Sequence, residues 1–162
     1  MLGPTYEVFS GVLMENRLNE SIVILMADDD ADDRAMAEEA LREGRVANDL
    51  RFVEDGEKLM DYLYRREGYE HAPRPGLILL DLNMPRKDGL EALAEIKTDP
   101  ALRRIPVVIL TTSKAEEDML RGYDLGAASY ISKPVTFEGL VELMKAIGKY
   151  WIEFVELPAG TA

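Results

Sequence analysis

No cysteine occurs among the 162 residues. That excludes disulfides, thiolate metal sites and cysteine nucleophiles, and it fits a reducing compartment. Histidine is nearly absent too. His71 stands alone in a polar, proline-containing stretch, so a Ser-His-Asp triad has little to be built from. Positive charge is scarce: 19 Lys and Arg face 31 Asp and Glu, for a formal net charge of −12. Nucleic-acid phosphates and anionic lipids both demand clustered cations, so neither is expected as a direct partner. Long apolar runs are missing as well, and nothing nears the roughly 18 residues of a membrane span. The N-terminal MLGPTYEVFSGVLMENRLNE has no cationic start and no long apolar centre. No secretory leader is expected from it, and the cytoplasm is the expected location.

An apolar fraction of 47% and a charged fraction of 31% suit a globular chain, and the length suits one domain. Residues 1–20 lack periodicity and read as a tail, 21–157 as the domain, and 158–162 as a second tail. Within the domain, apolar runs alternate with helical patterns. Strands are expected over Ser21–Ala27, Asp49–Glu54, Leu77–Leu80, Pro106–Thr111 and Ala128–Ser132. Helices are expected over Asp32–Arg42, Glu57–Arg66, Leu90–Lys97, Ala115–Leu125 and Thr136–Glu156, the last with Thr136 as N-cap. The first, third and fourth strands are apolar on both faces. That is the mark of a parallel sheet covered by helices on both sides, an α/β open doubly wound fold. In such sheets the working residues lie beyond the carboxyl ends of the strands.

The strand ends carry a distinctive set. ILMA (24–27) runs directly into DDDADD (28–33), LILL (77–80) ends on Asp81, the fourth strand on Thr111-Thr112-Ser113, and the fifth on Lys133. Carboxylates gathered at one sheet edge repel unless a cation neutralises them. A hard divalent ion such as Mg²⁺ does so, and it accepts phosphate oxygens as well. One carboxylate could then act as nucleophile, with Lys133 and Thr111 stabilising the transferred group. The chemistry suggested is phosphoryl transfer onto an aspartate. Not every acid belongs to it. Asp32 and Asp33 are explained as the acidic first turn of a helix, and Asp30 has no assigned role. Asp81 has little structural excuse, because an acid directly after LILL is costly to bury.

LILLDLNMPRKDGLEAL (77–93) resembles the phosphoacceptor segment of CheY-like response-regulator receiver domains. The acidic pair Asp28-Asp29, Thr111, Tyr130 and Lys133-Pro134 fall in that family's order and spacing, and the resemblance spans about residues 21–150. APRPGLILLDLNMPRKDG, TTSKAEEDML and KYWIEFVELP look most like the stand-alone receivers that serve bacteriophytochromes. The resemblance implies a flavodoxin-like five-stranded sheet of order 2-1-3-4-5, with Asp81 accepting a phosphoryl group from a sensor histidine kinase. It implies Mg²⁺, with Mn²⁺ as the alternative, held by Asp28, Asp29, Asp81 and the Asn83 carbonyl, Asp28 acting mostly through metal-bound water. Lys133 and Thr111 would stabilise the phosphoryl group, and Thr111 and Tyr130 would switch with it. Asn83 and Ser113 would tune dephosphorylation, and the Lys133–Pro134 bond would be cis. Thr112 departs from the family, which often has Ala there, and should tighten the space above the site. The apolar excess at the C-terminal end suggests a homodimer through the fourth helix, fifth strand, last helix and C-terminal extension.

Two other classes compete. A haloacid-dehalogenase-type phosphatase would use Asp28 as nucleophile and Asp30 as acid/base, but it leaves Asp81 without a role. Asp28, Asp30, Asp32 and Glu39 match calcium-loop positions, yet Asp33 stands where that loop needs Gly and a strand replaces the entering helix.

Overall fold

The computed structural model describes residues 22–44 and 49–154, the side chains of 152–154 excepted. Five strands alternate with five helices: β1 (Val23–Ala27), α1 (Ala31–Glu43), β2 (Asp49–Val53), α2 (Gly56–Leu63), β3 (Leu77–Leu80), α3 (Gly89–Thr98), β4 (Val107–Thr111), α4 (Glu116–Asp124), β5 (Ser129–Ser132) and α5 (Phe137–Gly148). All strand pairs are parallel, in the order β2-β1-β3-β4-β5. This is the doubly wound sheet expected from the apolar runs.

Those runs have no polar alternation because both sheet faces are covered. Successive strand residues point to opposite faces. Leu25, Ala27, Ile78, Leu80, Val107 and Ile109 join one core with Leu59 and Met60 of α2 and Leu93 and Ile96 of α3. Ile24, Met26, Leu77, Leu79, Val108 and Leu110 join the other with Ala37 and Leu41 of α1 and Leu140 and Met144 of α5. Four helices start under a side-chain cap. Asp30, Asp55, Asp88 and Thr136 each accept backbone N–H groups of the first turn. The fifth, α4, starts after Ala115 with no such cap, and its one buried residue is Gly122.

Two expected boundaries are corrected. α2 ends at Leu63 rather than Arg66, and Arg65 takes a left-handed φ of 55°. The last helix is α-helical only to Gly148 and continues over Lys149–Phe154 as a π-helix. There Trp151 packs against the α1–α5 core while neighbouring Tyr150 is exposed, their rings edge to face. The tails at 1–20 and 158–162 lie outside the described residues. Among the described residues, no helix is long and apolar enough to cross a membrane.

Candidate functional site

Strand register brings the first two carboxylates together. Ala27 of β1 pairs with Leu80 of β3, so the next residues, Asp28 and Asp81, leave the sheet side by side. The Asp81 N–H donates to the Ala27 carbonyl at 3.0 Å, and the Asp28 N–H to the Val53 carbonyl at 3.1 Å. Both side chains are buried. Two buried like charges need a partner, and Lys133, just past β5, provides it. Its backbone N–H donates to the Thr111 carbonyl at 2.8 Å. Its Nζ donates to Asp28 Oδ2 and Asp33 Oδ2 at 2.7 Å each, and to Asp81 Oδ2 at 3.1 Å.

The electrostatics follow from this packing. Burial works against the Lys133 ammonium, but hydrogen bonds to Asp28 and Asp33 outweigh it and hold its pKa above the ordinary lysine value. Burial pushes the Asp28 carboxyl upward, and Lys133 and the Asp30 N–H pull it partly back. The Lys133–Pro134 bond is trans, which corrects the expected cis bond. Its strand end is fixed by the Thr111 carbonyl, and the four-carbon side chain reaches all three carboxylates from there.

The other Asp81 oxygen is held from β4 and its own loop. Thr111 Oγ1, fully buried, donates to Asp81 Oδ1 at 2.9 Å, and the Asn83 N–H donates to the same oxygen at 3.2 Å. Both carboxylate oxygens therefore have donors, which orients the group. Ser113 Oγ donates to Asp118 Oδ2 of α4 at 2.7 Å. Tyr130 Oη donates to the Ser113 carbonyl at 3.0 Å, and the Tyr130 N–H donates to Tyr123 Oη at 3.1 Å. The second of these contacts lets α4 cover an outward N–H of the edge strand β5. A groove of about 400 Å³ opens beside Asn83, lined by Leu82, Met84, Asp88, Leu90 and Asp118. Thr112 is exposed.

The acidic run resolves into different jobs. Asp28 takes the inner place. Asp29 is exposed and stands outside the cluster, although the resemblance made it a ligand. Asp30, unassigned from sequence, is the N-cap of α1, its Oδ1 accepting from the Asp32 and Asp33 N–H groups. The helix dipole accounts for Asp33 as a helix-start charge, yet it completes a set of three carboxylates, Asp28, Asp33 and Asp81, with oxygens within 4.8 Å of one another. A usable signal was its place three residues after the cap: helical side chains tilt toward the N-terminus, back over the strand end. Arg34 Nη1 ties the same turn to the Asp28 carbonyl at 2.7 Å. Three carboxylates against one ammonium leave two formal negative charges, a balance that suits one hard divalent cation.

Gly89 explains the glycine in KDGLEAL. A Cβ there would lie 2.4 Å from the Asp81 carbonyl oxygen and 2.7 Å from Leu82 Cα, both backbone atoms that cannot swing away. Gly89→Ala should lower stability by about 1–3 kcal/mol or more through overpacking, read by urea denaturation. Wild-type stability in that variant would contradict the close approach.

The sequence matches the response regulator receiver domain family over residues 24–145. The chain belongs to that family. Response regulator Rcp1 of Synechocystis sp. (strain ATCC 27184 / PCC 6803 / Kazusa) is 42% identical over 147 residues, covering 91% of this chain and 100% of the relative. The crystal structure of the phosphorylated cyanobacterial phytochrome response regulator RcpA is similar at a TM-score of 0.82 and 42% identity, covering 86% of this chain and 100% of that one. The Mn²⁺-bound form of Rcp1 matches at a TM-score of 0.79 and 43% identity, over 85% of this chain and 99% of that one. The phosphatase alternative with Asp28 as nucleophile finds no support in these likenesses, and Asp81, idle in that scheme, is central to the cluster.

Proposed function

We propose that the protein is a phosphoacceptor switch in which Asp81 takes a phosphoryl group from a sensor histidine kinase. The observation that carries this reading is the Asp81 carboxylate itself: buried, held by Thr111 and the Asn83 N–H on one oxygen and by Lys133 on the other. An Asp81 oxygen attacks the phosphorus of the donor phosphohistidine, the P–N bond breaks, and imidazole leaves. Mg²⁺, or Mn²⁺ in its place, would be held by Asp29, Asp81 and the Asn83 carbonyl, with Asp28 acting mostly through metal-bound water, and would neutralise phosphoryl oxygens during transfer. Thr111 and Lys133 are placed to follow the new charge. Tyr130 and α4 are linked to that movement through the Ser113 carbonyl and Tyr123. Asn83 and Ser113, at the rim, would tune dephosphorylation.

The weak anchoring of α4 supports its role as the responsive element. The likeness to phytochrome response regulators supports a bacteriophytochrome-type kinase as donor, and with it a cytoplasmic location. The test is Mg²⁺-dependent transfer from an active histidine kinase, with the phosphoryl group located by mass spectrometry on residues 77–93. No transfer, or label elsewhere, would overturn the assignment.

A homodimer through α4, β5, α5 and the C-terminal extension belongs to the same reading. Met119, Leu120 and Tyr123 on α4 and Tyr150 beyond α5 expose apolar surface. Leu120→Glu should turn a phosphorylated dimer into a monomer by light scattering. A wild type that stays monomeric at high concentration, phosphorylated or not, rejects the dimer.

A further inference from the structure

Asp33 is the member of the cluster that the phosphoacceptor reading leaves without a task. We propose that Asp33 is a positioning residue that receives the Lys133 ammonium when a divalent cation binds at Asp81 beside Asp28. The inference rests on the cation-site reading above and adds to it the residue that makes room for the ion.

The geometry supports a shift of the ammonium along a path already built. Lys133 Nζ sits 2.7 Å from an oxygen of Asp28 and 2.7 Å from one of Asp33, with Asp81 at 3.1 Å. A cation held at Asp81, with its bound water turned to Asp28, would compete for the oxygens that the ammonium holds, and the two positive groups would repel at such distances. Asp33 lies on the solvent side of the cluster: its side chain is 29% exposed, against 0% for Asp28 and 8% for Asp81. Moving onto Asp33 takes the ammonium toward solvent while keeping one short ion pair. The receiving carboxylate is itself fixed. The Asp33 N–H donates to the Asp30 cap, and the next residue, Arg34, holds the Asp28 carbonyl. Without Asp33, Lys133 would have only the two carboxylates that face the cation and its bound water, and the two positive groups would compete directly.

The neighbouring Asp32 offers a control. It carries the same charge in the same helical turn, but its carboxylate lies outside the cluster. Isothermal titration of the metal-free protein with MgCl₂ tests the idea. Asp33→Asn should weaken Mg²⁺ binding roughly 5–20-fold, the size of an ordinary coupling between two binding events. Asp32→Asn should leave it within about twofold, as screened surface charge does. In a Lys133→Met background, Asp33→Asn should change binding by less than about twofold, because the competing ammonium is gone. Circular dichroism verifies the fold of each variant, and Asp33→Ser stands in if Asp33→Asn fails to fold. Wild-type affinity in Asp33→Asn overturns the proposal. So does an equal loss in the Lys133→Met background, since Asp33 would then act on the ion itself. A wild type that binds no Mg²⁺ at all overturns instead the cation-site reading beneath.

Discussion

Asp81→Asn is expected to reduce phosphoryl acceptance to background while leaving a folded protein. An amide is not a nucleophile toward phosphorus at neutral pH, and no second carboxylate in the cluster is presented in the same way. Asp28 is fully buried and faces Lys133, and Asp33 sits on α1 rather than at the end of β3. The asparagine oxygen can keep the bonds from Thr111 Oγ1 and the Asn83 N–H, so the loop should hold its shape. What is lost is one of three negative charges around Lys133, and the stability cost should stay within about 1–2 kcal/mol, the ordinary range for a substitution that leaves the neighbouring groups satisfied. The measurement is phosphotransfer from an active kinase alongside urea denaturation of the same preparation. Persistent label in a folded Asp81→Asn protein would reject Asp81 as acceptor.

Lys133→Met should be the most destabilising change in the site. It leaves Asp28 and Asp81 buried without their counter-charge, where removing one partner of a buried pair costs about 3–5 kcal/mol. Methionine preserves most of the volume, so packing contributes little to the loss. The deficit should depend on pH in a fixed direction. Burial already holds the Asp28 carboxyl above its ordinary value of 3.8, and Lys133 is what pulls it back down. With that pull gone, the folded-state value rises further. A carboxyl raised on folding favours the folded state when protonated. The deficit should therefore be small below about pH 4, near the unfolded-state value, and grow as the pH rises through the folded-state value. Mg²⁺ should restore stability, because it replaces the missing positive charge and meets no ammonium in the pocket. Thermal denaturation across pH, with and without MgCl₂, reads all three effects. A variant as stable as wild type without metal would mean that the carboxylates are satisfied in some other way.

The strand ends were open to reading in advance because apolar runs end abruptly. A fully buried LILL cannot continue into an acid without a reason, so Asp81 stands out from the sequence alone. Thr111 and Lys133 stand out only as companions of Asp81 at the same sheet edge and through the family resemblance, because each alone reads as an ordinary strand-end residue. The run at 28–33 was less legible. Composition does not tell which of several consecutive aspartates points inward. That depends on the pairing of Ala27 with Leu80, which puts Asp28 beside Asp81 and leaves Asp29 facing solvent. Asp33 was missed for a related reason. A carboxylate in a first helical turn is adequately explained by the helix dipole, and its tilt toward the strand end does not reveal an ammonium one hundred positions away.

The sequence by itself determined the alternation of strands and helices, the two-sided burial of the central strands, and the chemical types at their ends. Those properties are local, because they depend on hydrophobic period and on the cost of placing charge beside apolar runs. Only the tertiary structure decided which carboxylates share one ammonium, how Lys133 reaches them from the end of β5, and that Tyr130 is joined to Ser113 and α4. Those properties depend on register and on distances between segments that meet only when the sheet assembles, and electrostatic coupling is set by such distances rather than by spacing along the chain.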